Sequence, residues 1–170
     1  MKKILSSLFA SIVILAAFTG CAGYRLGSML PPDIKSVYVP TFVNRTTEPM
    51  IENQTTSETI RKLQEDGSLK VVGKEDADAI LEVTLRNYEL EPLAYNEQQK
   101  TTANEYRIRI TAAIVLKRLS NNEIVAEAPF VQGEGTFFVE GDFTSSKQRG
   151  LPEAAADLGQ RIITQVVEAW

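Results

Sequence analysis

Tyr106-Arg107-Ile108-Arg109-Ile110-Thr111-Ala112-Ala113-Ile114-Val115-Leu116-Lys117 is the stretch that decides the fold. Tyr106, Ile108, Ile110, Ala112, Ile114 and Leu116 share one side of an extended chain, opposite Arg107, Arg109, Thr111 and Lys117. Successive side chains of a strand point to opposite faces, so this is a strand with one buried and one wet face, as in antiparallel sheets. Upstream, Leu81, Val83 and Leu85 alternate with Glu82, Thr84 and Arg86 in the same way. Downstream, Ser120-Asn121-Asn122-Glu123 reads as a hairpin turn, since asparagine tolerates the left-handed backbone such turns need. The return strand runs from about Ile124 to Val139. Pro129 inside it cannot donate to a ladder, and Gly133 and Gly135 weaken pairing, which predicts a bulge or an edge position.

Around this centre the rest of the chain supplies helices and short strands. Ile34 to Val39 is a strand closed by Pro40, and residues 44–49 form a loop. A helix is predicted over about 49–66, with Pro49 in its first turn, Gly67 just past its end, and Thr56, Ile60 and Leu63 on its apolar face. Residues 69–72 read as a short strand and 74–78 as a polar turn. Leu151, Ala155, Leu158, Ile162, Val166 and Ala169 recur at steps of three and four, a helix with Pro152 in its first turn. The order β-α-β-β-β-β-α predicts an α+β fold, a two-layer α/β sandwich with two helices on one face of a mixed, mostly antiparallel sheet.

The N-terminus carries an address. Lys2 and Lys3 precede an apolar run from Leu8 to Phe18, too short to span a bilayer but suited to a secretory signal. Phe18-Thr19-Gly20-Cys21-Ala22-Gly23 follows, with small residues before the only cysteine of the chain. This resembles a bacterial lipobox, with Phe18 where leucine is usual. The resemblance implies cleavage before Cys21, S-diacylglycerol and N-acyl groups on Cys21, and, with Ala22 next, the outer membrane. Two or three acyl chains anchor stably where one does not. The alternative is an exported protein with an incidental cysteine. The expected organisation is a signal peptide over 1–20, a lipidated leader over 21–33 and an α/β domain over 34–170. Losing 1–20 removes Lys2 and Lys3 and no acid, leaving 16 basic against 22 acidic side chains, a net −6.

The absence of histidine from the 170 residues excludes histidine triads and His-ligated zinc, and the single cysteine excludes a disulfide framework. The net charge of −4 gives no sign of a nucleic-acid partner. Gly133-Glu134-Gly135 lacks the Lys-Ser/Thr of a phosphate loop, and Ser145-Ser146-Lys147 lacks a nucleophile's strand-turn setting, so no enzyme, cofactor or metal is expected. Arg107, Arg109, Lys117 and Arg118 have two readings: the solvated face of an amphipathic strand, or a surface for anionic head groups. Residues 91–104 read as a long loop in which Tyr95 and Lys100 are further candidate contacts.

Cys21-Ala22-Gly23-Tyr24-Arg25-Leu26, then Ile34-Lys35-Ser36-Val37-Tyr38-Val39-Pro40-Thr41-Phe42-Val43-Asn44-Arg45-Thr46-Thr47-Glu48-Pro49, then Leu69-Lys70-Val71-Val72 and Ala77-Asp78-Ala79-Ile80-Leu81-Glu82-Val83 together resemble the LptE family of outer-membrane lipopolysaccharide-assembly lipoproteins. The resemblance implies two helices against a sheet of about four strands. It also implies a plug inside an LptD-type β-barrel, with support of barrel assembly and contact with lipopolysaccharide during delivery to the outer leaflet. The implied position is lipid-anchored on the periplasmic side. The strand around Val39-Pro40-Thr41-Phe42 is similar also to other periplasmic lipoproteins. The alternative function is therefore activation of a peptidoglycan synthase or service in a secretion complex.

Overall fold

The structure, a computed structural model, describes residues 30–95 and 103–167. The signal peptide, Cys21, most of the leader, Lys100 and Ala169 lie outside those residues. In chain order the elements are β1 (Ser36–Tyr38), β2 (Val43–Asn44), α1 (Ile51–Asp66), β3 (Lys70–Val71), a 3-10 turn (Lys74–Asp76), β4 (Ala79–Tyr95), β5 (Ala103–Arg118), β6 (Ile124–Phe138) and α2 (Phe143–Val167).

The α+β sandwich predicted from the alternation is present: two helices lie on one face of a mixed sheet ordered β3-β1-β4-β5-β6, with β2 also paired to β4. Among the described residues the sheet has six strands rather than about four. The additional pieces are two-residue strands, and β2 falls in a stretch too short to show a period. β1 and β2 run parallel to β4, while β4, β5 and β6 are antiparallel neighbours. The β5–β6 turn places Asn122 at φ 58, as its left-handed tolerance anticipated.

Three expectations are corrected. Residues 91–95 and 103–104 are strand, not loop: β4 continues through Pro92, which faces Tyr106. Proline is accommodated because, among the described residues, no strand borders this part of β4 on the side away from β5. Pro49 lies outside α1, which begins at Ile51 after Met50 turns left-handed at φ 65, whereas Gly67 closes the helix as expected, at φ 74. Pro152 lies inside α2, which starts nine residues earlier, where Asp142 accepts the Ser145 N–H at 2.8 Å. An interior proline costs a helix about 3 kcal/mol, a loss the buried stripe on α2 outweighs.

That stripe (Ala154, Leu158, Ile162, Val166) meets the predicted inner face of β5, where Ile108, Ile110, Ala112, Ile114 and Leu116 are almost fully buried. Gly133 and Gly135 are part of this contact. A Cβ on Gly133 would stand 2.5 Å from the backbone of Leu158, and one on Gly135 would stand 2.5 Å from Ala154 N. Both pair regularly with β5, so these glycines serve close approach of α2 rather than weak pairing. The bulge expected with Pro129 is present at Pro129 and Phe130, with a further shift at Val125, on a strand that is also the sheet edge. At the far end of the sheet, Tyr106, Phe137 and Phe143 close the core, with ring centroids 5.1–5.8 Å apart.

Candidate functional site

The face of β4, β5 and β6 turned away from the helices carries the charged residues singled out by alternation. Cross-strand register puts Glu89 opposite Arg109, Glu91 opposite Arg107, and Glu134 on the other side of Arg109. Arg109 Nε donates to Glu134 Oε1 at 2.8 Å and Nη2 to Glu91 Oε2 at 3.3 Å, with Glu89 at 3.6 Å. Arg107 reaches Glu91 at 3.4 Å and Glu134 at 3.5 Å. The bond to Glu134 is the main reason the Arg109 guanidinium holds its proton more firmly than usual. The same bond draws the Glu134 carboxyl below its ordinary range. Two guanidiniums thus meet three carboxylates in a half-exposed acid–base–acid ladder across three strands.

The ladder continues to the sheet edge. The Glu134 N–H points out of β6 and donates at 2.9 Å to Asp157 Oδ2 on α2, which also accepts from Arg161 Nε at 2.9 Å. A side chain from the helix thereby occupies a donor that an edge strand would otherwise offer to another chain. Lys117 lies lower on β5 and is paired with Glu82, apart from the two arginines. Tyr95 ends β4 opposite Ala103. Sequence reasoning found the arginines and missed their acids. Glu89 and Glu91 alternate with Leu90, a usable signal obscured by assigning residues 91–104 to a loop.

At the other end of β4, an open cleft of about 460 Å³ is lined by Asp33, Lys74, Glu75, Ala77, Asp78, Arg118, Leu119 and Ser120. Asp33 is paired with Arg118 there, and Arg118 Nε lies 3.3 Å from Glu123. Asp78 accepts from Lys35 N–H (3.0 Å), Ser36 N–H (2.9 Å) and Ser36 Oγ (2.7 Å), while its own N–H donates back to Ser36 Oγ. These bonds, Ser36 Oγ foremost, hold the Asp78 carboxyl below the usual aspartate range. They fasten the start of β1, where the chain enters the fold, to the start of β4.

Among the described residues, no group of three or more Cys, Asp or Glu could hold a metal ion, and no helix is long and apolar enough to cross a membrane. Ser146 is buried and used structurally, accepting the Glu140 N–H at 3.0 Å, and Lys147 is paired with Glu48.

The LptE family model, described as lipopolysaccharide-assembly, matches residues 34–166. The chain belongs to the LptE family. Membership assigns this LptE-family chain to lipopolysaccharide assembly in general, and the match covers every element from β1 to all but the last residue of α2. Solved structures share its fold at low identity. A protein from Xanthomonas campestris aligns at TM-score 0.55 and 10% identity, over 79% of this chain and 85% of its own. A PelC dodecamer from Paraburkholderia phytofirmans aligns at 0.50 and 16%, over 82% and 94%. A minor lipoprotein from Acinetobacter baumannii aligns at 0.50 and 11%, over 78% and 92%. A sequence comparison with curated proteins gives no match.

Proposed function

We propose that this LptE-family chain is a lipid-anchored outer-membrane protein that seats in an LptD-type β-barrel and supports its assembly and its handling of lipopolysaccharide. The observation that carries this reading is the family match over residues 34–166. The Arg–Glu ladder is compatible with it. A half-exposed polar sheet face with charges of both signs suits the polar interior of an outer-membrane barrel better than a lipid surface. Cys21 is the proposed acylation site after loss of 1–20, giving attachment on the periplasmic side.

Arg107 and Arg109, with Lys117, Lys100 and Tyr95, are the proposed contacts for lipopolysaccharide or for the barrel. A phosphate reaching either arginine would share the guanidinium with Glu91 and Glu134 or displace them, so it would compete with carboxylates rather than fill an empty cationic site. Reversing both charges, Arg107→Glu with Arg109→Glu, is expected to weaken lipopolysaccharide binding by the purified protein. Unchanged binding removes these residues from the proposal.

The whole reading is tested by affinity capture of the tagged full-length chain from detergent-solubilised outer membranes, followed by mass spectrometry. The expected result is one large β-barrel in near-stoichiometric yield. Recovery of a peptidoglycan synthase or a secretion complex in its place overturns it. Cys21→Ser is expected to abolish acylation and the cleavage that follows it, so that the chain keeps residues 1–20 and is lost from the outer-membrane fraction.

A further inference from the structure

Of the five register shifts among the described strands β4, β5 and β6, two fall at one level. On β4, Arg86 is an extra residue between Leu85, opposite Ala112, and Asn87, opposite Thr111. On β6, Pro129 and Phe130 together face the single residue Ala113, between Ala128, opposite Ile114, and Val131, opposite Ala112. Both insertions therefore stand across from the short run Thr111–Ile114 of β5, one on each side. Arg86, Pro129 and Phe130 are all exposed, while Leu85, Ala112, Ala128 and Val131 face the core.

A bulge interrupts a ladder, bends its strand and increases the local twist. The pair flanks the same stretch of β5 and so marks a transverse line across the sheet, with one extra residue in each outer strand. Below this line β1 and β2 border β4, and above it, among the described residues, no strand does. The upper arm, formed by 87–95, 103–111 and 131–138, carries the Arg107–Arg109 ladder. On its inner side the arm is fastened by α2 through Gly133 and Gly135. On its outer side one contact joins the two insertions: Arg86 Nη1 donates to the Pro129 carbonyl, 3.4 Å away over β5.

We infer that Arg86 is a positioning residue that clasps the two bulges and sets the angle of the upper arm, and so the direction in which the Arg–Glu ladder is presented. Its side chain has the reach to cross an intervening strand, and its charge strengthens the bond to a neutral carbonyl. Phe130, next to Pro129 on the bulge, is 66% exposed.

Hydrogen–deuterium exchange with mass spectrometry on the full chain in detergent tests the inference, comparing the native protein with Arg86→Met and Arg86→Lys. Methionine keeps the length of the side chain and removes the donor. Amides in 87–95 and 103–111 are expected to exchange about fivefold faster in Arg86→Met, the loss of one charge-assisted hydrogen bond. Amides in 36–38, 51–66 and 79–85 are expected to be unchanged, and Arg86→Lys, which keeps a donor, is expected to restore part of the protection. Unchanged exchange in the arm, or an equal rise throughout the chain, overturns the inference, the second because it would make Arg86 a general stabiliser.

Discussion

The two faces of β4–β6 are fixed by different physics. Under the helices, position is set by shape: Gly133 and Gly135 allow the backbone of α2 to approach so closely that a single methyl group on either would collide with it. On the outer face, position is set by charge, with Arg107 and Arg109 held between Glu89, Glu91 and Glu134 at the edge of solvent. Close packing tolerates almost no change in volume. Exposed ion pairs tolerate many changes, because water replaces what is lost. The inner face therefore specifies the fold, and the outer face is free to vary with whatever it meets.

The sharpest test of that contrast is Gly133→Ala. The added Cβ forces α2 off the sheet, and a loss of about 3 kcal/mol is expected in chemical denaturation. A cost near zero would break the comparison, since it would mean that the helix shifts freely. Next comes Asp78→Asn, at the junction of β1 and β4. The Asp78 carboxyl lies below its ordinary value of 3.8 in the folded protein. Its contribution is therefore complete above that value and is lost as pH falls through the lower folded value. The variant is expected to be less stable than the native chain at pH 7, with the gap closing toward pH 2 in denaturation midpoints taken at both.

A third test lies between the helices. Thr59 is fully buried against Gly159, and its hydroxyl has no hydrogen-bond partner. Thr59→Val keeps the shape and removes an unsatisfied polar group, so a gain of about 1 kcal/mol is expected in the same denaturation assay. The smallest effect belongs to the outer face. Arg109→Met is expected to lower the melting temperature much less than Gly133→Ala does, with the difference disappearing in 1 M salt. A large, salt-independent loss would show that the ladder is structural after all.

The readable parts of the chain were those with a long period. Tyr106 to Lys117 alternates over enough residues to fix which side is buried, and the stripe from Leu151 to Val166 does the same for α2. The boundaries were less legible because single residues misled. Pro92 and Pro152 looked like breakers, yet one stands on a bare strand edge and the other is carried by a strongly packed helix. The glycines of β6 announced an irregularity, but their reason lies in α2, more than fifteen residues further along. The arginines of the candidate site were visible from alternation alone. Their neutralisation was not, because it depends on which residues of two other strands stand opposite, and register is a property of the folded sheet.

One dimension of β4 has a consequence for scale. Its 17 residues, from Ala79 beside the entry of the chain to Tyr95, extend about 50 Å. A bilayer with its head-group layers is about 40–45 Å thick. The strand is thus about as long as a bilayer with its head groups is thick, so a barrel that took it in lengthwise, as proposed above, would be filled from one surface to the other. Shortening the β4–β5 arm by one pair of residues would remove roughly 3 Å from that length at each step.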